Sequence, residues 1–430
     1  MAGLSPSLYQ DEKMNPMKEN IRHHLDNPSQ LETMYRADKG AFTDAFALLY
    51  PEVRGIPLAD FWNERLQPKS PKAKKGLRQD LLFVLLAAIV GGLIARVPFL
   101  GSLSEENFYA RNAGFILFPA LTAFFAWKNR LSPIIIATLA GITLLGLGFI
   151  NFLPSLKSSN TTVLSCLHLL FVLWAALGVA YTGGVRDRHD RRLSFLRFNG
   201  DLVVMTSLIL IAGGIMTGLT IGLFSVLGLH IEQFYFENVV VSLLPAAPIL
   251  GTYLIYANPQ LVGKVSPVIA RLFSPLVLVM LVIYLVAMVY TAKDPYNDRE
   301  FLMIFNLLLI GVMAIIFFSV TGSPGVRKSR FEIWVLFLLS ITTILVNGIA
   351  LTAIVYRTGH GGITPNRVAV LGANGLMLVN LCIMTGELFN VVVRHTDGVS
   401  VGRSVARFLP LYAIWAAVVT FLFPFFFRFQ

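Results

Sequence analysis

The feature that most constrains this chain is a series of long apolar stretches that recurs from residue 80 onward. Each stretch is about 20 residues long, which is the length that a helix needs to cross the hydrocarbon core of a bilayer. The stretches are continuously apolar rather than alternating, which indicates helices and not the strands of a barrel. Only 14% of the residues are charged, against roughly a quarter in a soluble domain. The chain is therefore predicted to be an all-α polytopic membrane protein.

About eleven transmembrane helices follow a polar N-terminal segment in this prediction. The second is short and contains Pro119. The predicted spans cover residues 80–97, 113–127, 132–154, 162–183, 202–228, 237–257, 268–291, 301–321, 331–356, 367–391 and 406–427. This assignment divides the chain into an N-terminal segment with a basic linker, residues 1–78, and a transmembrane bundle, residues 79–430.

The N-terminal segment has the apolar spacing of short helices. Leu31, Met34 and Tyr35 recur at intervals of three and four residues, which places them on one helix face. About 50 residues, here 20–67, can form a small helical unit, and the basic linker over residues 69–78 joins it to the first span. We predict a small cytoplasmic helical unit that is a candidate docking site for a cytoplasmic protein partner.

The distribution of Lys and Arg predicts the orientation. After residue 68, twenty of these residues fall in one set of alternate loops and eight in the other set. The richer set should face the cytoplasm, so the N-terminus is predicted on the cytoplasmic side and the C-terminus on the opposite side of the membrane. The net charge of +11 is then explained by loops that face the anionic surface of the lipid bilayer. A nucleic-acid partner is not predicted.

The predicted outer loops carry a dense group of charged and polar residues. The loop over residues 293–300 is the densest part, and Asp298 and Glu300 suit the positive N-terminal end of the next helix. Arg111 and Arg367 are exceptions to the orientation rule, and we expect them to pair with these carboxylates. The group is interpreted either as a ligand site or as a clamp between helices, with the clamp favoured. This outer polar cluster consists of Glu106, Arg111, Asp294, Asn297, Asp298, Arg299, Glu300 and Arg367.

A second group of candidates lies inside the predicted spans. Polar side chains in lipid normally face the interior of the bundle, and ionisable ones are functional candidates. The main candidates are His168, Asn306, Asn347 and Glu387, and Asn151, Asn374 and Asn380 are further asparagines within the predicted spans. No acidic residue lies near the middle of a predicted span, which disfavours a proton pump. The favoured interpretation of the asparagines is hydrogen bonding between neighbouring helices.

The fifth predicted span carries a ridge of small residues at every fourth position. Gly214, Gly218 and Gly222 form this ridge. Such spacing lets a second helix approach closely, so we predict tight packing of these glycines inside the monomer. A pore-lining or sliding surface is the alternative.

Motifs of known enzyme classes are absent from the sequence. It contains no phosphate-binding loop, no HExxH zinc motif and no nucleophile elbow. Cys166 and Cys382 lie in apolar stretches as small packing residues, and His360 has no second histidine or cysteine nearby. No cofactor and no metal site are predicted.

Five segments carry a family resemblance. They are Met34–Phe42 (MYRADKGAF), Phe108–Ala120 (FYARNAGFILFPA), Leu196–Asp201 (LRFNGD), Lys293–Leu302 (KDPYNDREFL) and Gly362–Arg367 (GITPNR). Together they resemble the bacterial polytopic membrane family of unknown function DUF 4153, in its Bacteroidetes form. The resemblance covers most of residues 80–395. It implies a helical bundle in the bacterial inner membrane, and it assigns no activity and no functional residue.

Three functions remain open from the sequence. The first is a non-enzymatic membrane protein that binds or transports a small molecule, an ion or a lipid. The second is an envelope scaffold whose N-terminal unit recruits a cytoplasmic partner. The third is a membrane enzyme that acts on envelope lipid or glycan through outer carboxylates with separated pKa values. The first is favoured, because a polytopic bundle without catalytic motifs carries an outward polar cluster.

Overall fold

The computed structural model describes residues 16–66, 71–100, 104–184, 189–226, 229–257, 265–290, 299–321, 329–394 and 399–430. Within these ranges the chain is helical and contains no strand, which confirms the all-α prediction. The chain divides into two compact units, residues 1–79 and residues 80–430. The two units are described separately below.

The first unit contains four short helices around a small core. Helix α1 covers residues 16–23, α2 Pro28–Ala37, α3 Lys39–Val53 and α4 Pro57–Leu66. The side chain of Asn27 accepts a hydrogen bond at the start of α2, and that of Asp38 does the same for α3, so both helices have a polar N-cap. The buried side chains of this core include Ile21, Leu31, Phe42, Phe46, Leu49 and Trp62.

Charged groups brace the surface of the first unit. Arg36 donates a 2.8 Å hydrogen bond to Glu32, and Arg65 lies 2.8 Å from the same carboxylate. These two bonds lower the pKa of Glu32. Because the pKa of Glu32 is lower in the folded unit, its bonds to the two arginines stabilise the unit at neutral pH. This stabilisation is lost as the pH falls below about 4.5.

The second unit consists of long helices. Helix α10 is interrupted. The helices are α5 Pro71–Ala95, α6 Glu105–Lys128, α7 Pro133–Phe152, α8 Asn160–Thr182, α9 His189–Val226, α10 Glu232–Ala257, α11 Val265–Tyr290, α12 Arg299–Thr321, α13 Arg330–Gly361, α14 Pro365–Arg394, α15 Val399–Phe421 and α16 Phe423–Phe426.

Each of the eleven predicted spans coincides with one of the helices α5 to α15. In the described ranges, seven helices are long and apolar enough to cross a membrane, namely α7, α8, α9, α10, α13, α14 and α15. Three further apolar helical stretches are shorter, Gln79–Ala95, Phe273–Val286 and Leu308–Ser319. Seven such helices describe a multi-pass, membrane-embedded protein.

The two largest buried clusters of the described helices lie in this unit. Helices α13 and α14 pack along each other, α14 packs on α15, and α8 lies between α6 and α15. One cluster is aliphatic and includes Leu309, Ile316, Leu339, Leu381 and Met384. The other is rich in aromatic rings from α6 and α9, including Phe124, Phe125, Phe195 and Phe198. Dispersion contacts of this kind replace the hydrophobic effect between helices in lipid.

Helix α10 is interrupted where it meets α5. It contains a π-helical turn at Phe236–Val240 and a break at residues 244–245. The second of these residues is Pro245, which has no N–H to continue the helical hydrogen bonds. Helix α5 passes very close to this point. A Cβ atom at Gly92 would lie 2.4 Å from the carbonyl oxygen of Ser242. The crossing therefore requires glycine at this position.

The predicted packing of the glycine ridge on α9 is wrong for the part of the chain that the structure describes. Built Cβ atoms at Gly214, Gly218 and Gly222 meet no atom within 4 Å. The most apolar stretch of α9 has none of its residues buried inside the protein. The spacing of small residues is compatible with a close approach, but no described helix of the chain lies there to make it.

Gly218→Leu should therefore leave the folded bundle almost unchanged. The added side chain enters open space, so we expect a change of less than about 0.5 kcal/mol, as for substitutions away from packed contacts. Thermal unfolding in detergent measures this, with the parent protein beside it. A loss of several degrees would show that Gly218 packs against a helix after all.

Candidate functional site

Three asparagines from successive helices meet inside the bundle. Asn347 lies near the middle of α13, Asn374 lies on α14, and Asn306 lies about two turns into α12. The Asn374 amide donates a 2.6 Å hydrogen bond to Oδ1 of Asn306. The Asn347 amide donates a 3.1 Å bond to the backbone carbonyl of Asn374. The structure thus joins two of the sequence candidates through a third residue, and we call these three residues the amide cluster.

The amide cluster is buried but not fully satisfied. Asn347 is 0% exposed and Asn374 is 1% exposed. Among the described residues, Oδ1 of Asn347 has no hydrogen-bond partner. The orientation of this amide follows from its other bond, because a backbone carbonyl only accepts, so the Asn347 nitrogen must face it. Within the described ranges, the cluster therefore presents a fully buried open acceptor, Oδ1 of Asn347, in the interior of the bundle.

A fourth buried amide lies on the neighbouring helix pair. Asn380, near the middle of α14, is 0% exposed and donates a 3.0 Å hydrogen bond to the hydroxyl of Tyr412 on α15. Its Oδ1 also lacks a hydrogen-bond partner within the described ranges. Buried acceptors without partners cost free energy, so each of these two oxygens is a candidate acceptor for a hydrogen bond from a ligand.

A second amide pair shows what a purely structural arrangement looks like. Asn112 on α6 and Asn151 on α7 exchange two hydrogen bonds of 3.2 and 2.9 Å. The remaining hydrogens of both amides go to carbonyls of their own helices, Phe108 and Leu147. Neither side-chain oxygen is left open. This pair joins α6 to α7 and offers no group to a ligand.

The two ionisable candidates inside the spans lie apart from the amide cluster. Nδ1 of His168 lies 2.9 Å from the carbonyl of Leu164 on its own helix, and its ring contacts Phe171. Glu387 is half-buried near the C-terminal end of α14 and makes no hydrogen bond or ion pair with the described residues. Neither side chain is brought to another sequence candidate.

Arg111 of the outer polar cluster is held by carbonyl oxygens. Its guanidinium donates to the carbonyls of Ile150, Asn151, Leu153 and Pro154 at distances from 2.6 to 3.3 Å. These carbonyls end α7, where the helix leaves backbone acceptors unpaired. The side chain therefore ties α6 to the end of α7, and the structure gives it a structural role that needs no carboxylate.

The structure describes only some of the other residues of the outer polar cluster. Arg367 donates to the carbonyl of Gly362, and Glu106 is exposed in the first turn of α6. Asp294, Asn297 and Asp298 lie outside the described residues, as do the side chains of Arg299 and Glu300. Pairing of Arg111 or Arg367 with Asp298 or Glu300 stays a prediction.

Sequence reasoning did not select one buried ion pair. Lys128, at the end of α6, lies 2.5 Å from the carboxylate of Asp80, whose side chain is 3% exposed. The ammonium also lies 4.7 Å from the ring centre of Tyr256 and 5.1 Å from that of Trp127, within cation–π range. An acid at the start of one apolar span, with a Trp-Lys pair ending the next, is the signal that could have indicated this pair.

The candidate groups are mainly neutral hydrogen-bonding groups. In the described ranges, no three His, Cys, Asp or Glu residues are grouped so that they could hold a metal ion. Of the two cysteines, Cys166 is buried and Cys382 is exposed. The open amide oxygens can accept a hydrogen bond from a ligand. Comparison of the chain with family models, curated proteins and solved structures found no match.

Proposed function

We propose that this chain is a non-enzymatic protein of the bacterial inner membrane that binds or transports a small molecule, an ion or a lipid. The observation that carries the proposal is the amide cluster, in which a fully buried acceptor, Oδ1 of Asn347, has no partner in the part of the chain that the structure describes. Polar groups inside a membrane bundle often mark the pathway of a ligand. The resemblance to the DUF 4153 family supports the bacterial inner membrane as the location.

We further propose that the chain crosses the membrane eleven times, once with each helix from α5 to α15. Helices α5 to α15 each coincide with a predicted span, and α5, α11 and α12 each contain one of the shorter apolar stretches. With eleven crossings, the first unit and the basic loops face the cytoplasm, and the C-terminus faces the periplasm.

Cysteine labelling at the two ends of α8 tests this topology. Ser158 and Asp190 are exposed and flank this helix. We expect Ser158→Cys to react with an impermeant thiol reagent in intact spheroplasts, and Asp190→Cys to react only after the membrane is permeabilised. The parent chain, with Cys166 and Cys382, is the background control. Labelling of Asp190→Cys alone in intact cells would reverse the orientation.

A ligand screen tests the binding function itself. The purified protein is heated in detergent with a panel of metabolites, lipids and salts. A ligand at about 100 times its Kd should stabilise the folded state by about 2.7 kcal/mol. We expect Asn347→Leu to abolish the stabilisation by the true ligand, whereas Asn112→Leu, in the closed amide pair, should keep it. If no compound stabilises the parent protein, the binding function is wrong.

One observation favours the scaffold as a second candidate function. The first unit has its own buried core, yet it exposes large apolar side chains. Leu48 is 54% exposed and Phe61 is 58% exposed. Apolar side chains on a polar surface are typical anchors for a protein partner. Replacing both by Ser should abolish recruitment of a cytoplasmic partner in a pull-down without changing thermal unfolding.

A further inference from the structure

We propose that the cleft between α5 and α6 binds an anionic phospholipid, with one acyl chain in the cleft and the phosphate of the headgroup near Arg130. This inference rests on the proposed crossing of the membrane by these two helices, and it assigns a second site on helices that do not form the amide cluster. It depends on how α5 and α6 are joined, and on the lining, the length and the charge of the cleft between them.

Helices α5 and α6 are joined at both ends and leave a gap between these contacts. At one end, the carboxylate of Asp80 pairs with Lys128 at 2.5 Å. At the other end, the hydroxyl of Tyr109 donates a 2.7 Å hydrogen bond to the carbonyl of Ala95. A cleft of about 320 Å³ lies between the two helices. The contacts at the two ends hold its walls, so the cleft is a defined gap within the described part of the chain.

The lining of the cleft is apolar throughout. Leu86 and Val90 belong to one wall, and Pro119 and Ala120 belong to the other. Leu86 is 55% exposed and Val90 is 54% exposed, so the cleft opens sideways, away from the buried clusters. A polar ligand would lose its hydration there and find no side chain with which to form a hydrogen bond. The lining therefore suits a hydrocarbon chain.

The length of the cleft matches one leaflet of a bilayer. The wall from α5 extends from Phe83 to Ile94, which is about 16 Å at the helical rise of 1.5 Å per residue. One leaflet contributes half of the hydrocarbon core, about 15 Å. A helix is about 10 Å wide with its side chains, so the same length of helix would fill more than about 1,000 Å³. The cleft of about 320 Å³ is therefore too small for a helix of a protein partner and suits a single acyl chain.

The Phe83 end of the cleft carries the charge that complements a phosphate. The ring centre of Phe83 lies 5.6 Å from that of Trp127, which is 43% exposed, and Trp is enriched at the level of lipid headgroups. The backbone N–H of Arg130 donates to the carbonyl of Trp127. The Arg130 side chain is exposed and forms no ion pair within the described ranges, whereas Lys128 is bound to Asp80. A guanidinium matches the geometry of a phosphate, and basic residues at this level favour lipids of net negative charge.

Photo-crosslinking tests the site on the full-length protein in phosphatidylcholine vesicles. Phosphatidylglycerol with a diazirine in the middle of one acyl chain is added at a low mole fraction, and crosslinked peptides are quantified by mass spectrometry. Residues 207–216 of α9 are largely exposed and serve as the reference for contact with bulk lipid. Relative to this reference, we expect labelling of the cleft residues to be about fivefold higher than with the matching phosphatidylcholine probe, as for one basic residue at the membrane surface.

Three variants then locate the bound lipid. Ala120→Phe fills the cleft and should lower its labelling to the level of the reference. Ala137→Phe makes the same change at an exposed position of α7 and should leave the labelling unchanged. Arg130→Gln should remove the preference for phosphatidylglycerol. Equal labelling by the two probes in the parent protein, or a preference that survives Ala120→Phe, would overturn the inference.

The reference helix separates failure of this inference from failure of the proposed topology. If α5 and α6 are labelled only to the level of α9 by both probes, the lipid site is wrong and the eleven crossings stand. If α9 is labelled while neither α5 nor α6 is labelled, these two helices do not cross the membrane, and the eleven crossings are wrong together with the lipid site.

Discussion

Gly372→Ala should strongly destabilise the helical bundle, by about 3 kcal/mol. A Cβ atom at this position would lie 2.0 Å from Cζ2 of Trp415, far inside van der Waals contact. The indole of Trp415 lies across α14 and donates a 3.3 Å hydrogen bond to the carbonyl of Ala369. Overpacking costs about 1–3 kcal/mol, and moving the ring also breaks this bond, which is worth about 1 kcal/mol.

The matched control lies one turn further along the same helix. A Cβ atom at Gly375 meets nothing within 4 Å, so Gly375→Ala should stabilise α14 by about 0.5–1 kcal/mol because alanine loses less backbone entropy on folding. Thermal unfolding in detergent should thus show opposite signs for one chemical change. In a Trp415→Ala background, Gly372→Ala should cost almost nothing, since neighbouring substitutions are not additive. Equal effects in both backgrounds would contradict the collision with Trp415.

Lys128→Met should cost about 3–5 kcal/mol, the loss expected when a buried ion pair is broken on one side only. Asp80 would remain 3% exposed without its counter-ion, and the rings of Tyr256 and Trp127 would lose the ammonium that they contact. Methionine keeps the apolar stem of the lysine, so the loss of packing is small. Thermal unfolding at neutral pH measures the effect.

A second substitution shows whether the charge is responsible. Asp80→Asn combined with Lys128→Met removes both charges, and we expect the pair of changes to recover most of the stability. Lys157→Met removes an exposed lysine and should change stability by less than about 0.5 kcal/mol. If the double variant is no more stable than Lys128→Met alone, the ion pair is not the source of the loss.

The helices of this protein were predictable from its sequence because lipid leaves few choices. Every backbone N–H and C=O in the hydrocarbon region needs a partner within the protein, so an apolar stretch of about 20 residues is helical wherever it occurs. For that reason the predicted span over residues 132–154 and the helix Pro133–Phe152 agree closely. The predicted span over residues 162–183 likewise agrees with Asn160–Thr182.

The contacts of small residues were not predictable in the same way. Gly214, Gly218 and Gly222 have the spacing of a packing ridge, yet no described atom lies near them. Gly92 and Gly372 carry no such pattern, and they are the positions where a backbone carbonyl and an indole ring approach most closely. A glycine in a sequence shows only that a side chain is absent. It does not show whether another helix fills the space.

The residues of the candidate site were also predictable only in part. The sequence identified Asn306 and Asn347 as polar residues in lipid, because few polar residues occur in those stretches. The sequence predicts that Arg111 pairs with carboxylates of the outer loop, and the structure shows its guanidinium bound to the carbonyls that end α7. Charge complementarity is visible in a sequence. Unpaired backbone acceptors at a helix end become visible only when the neighbouring helix is in place.

The sequence by itself determined that the chain is helical and membrane-embedded, since helix length and apolar composition are local properties of the chain. The tertiary structure alone decided which groups meet: Asn347 with Asn374 across α13 and α14, and Asp80 with Lys128 between α5 and α6. Residues far apart in sequence are joined by the rotation and depth of each helix. The rotation and depth of a helix depend on how all neighbouring side chains pack together, and this packing cannot be predicted from any single apolar stretch.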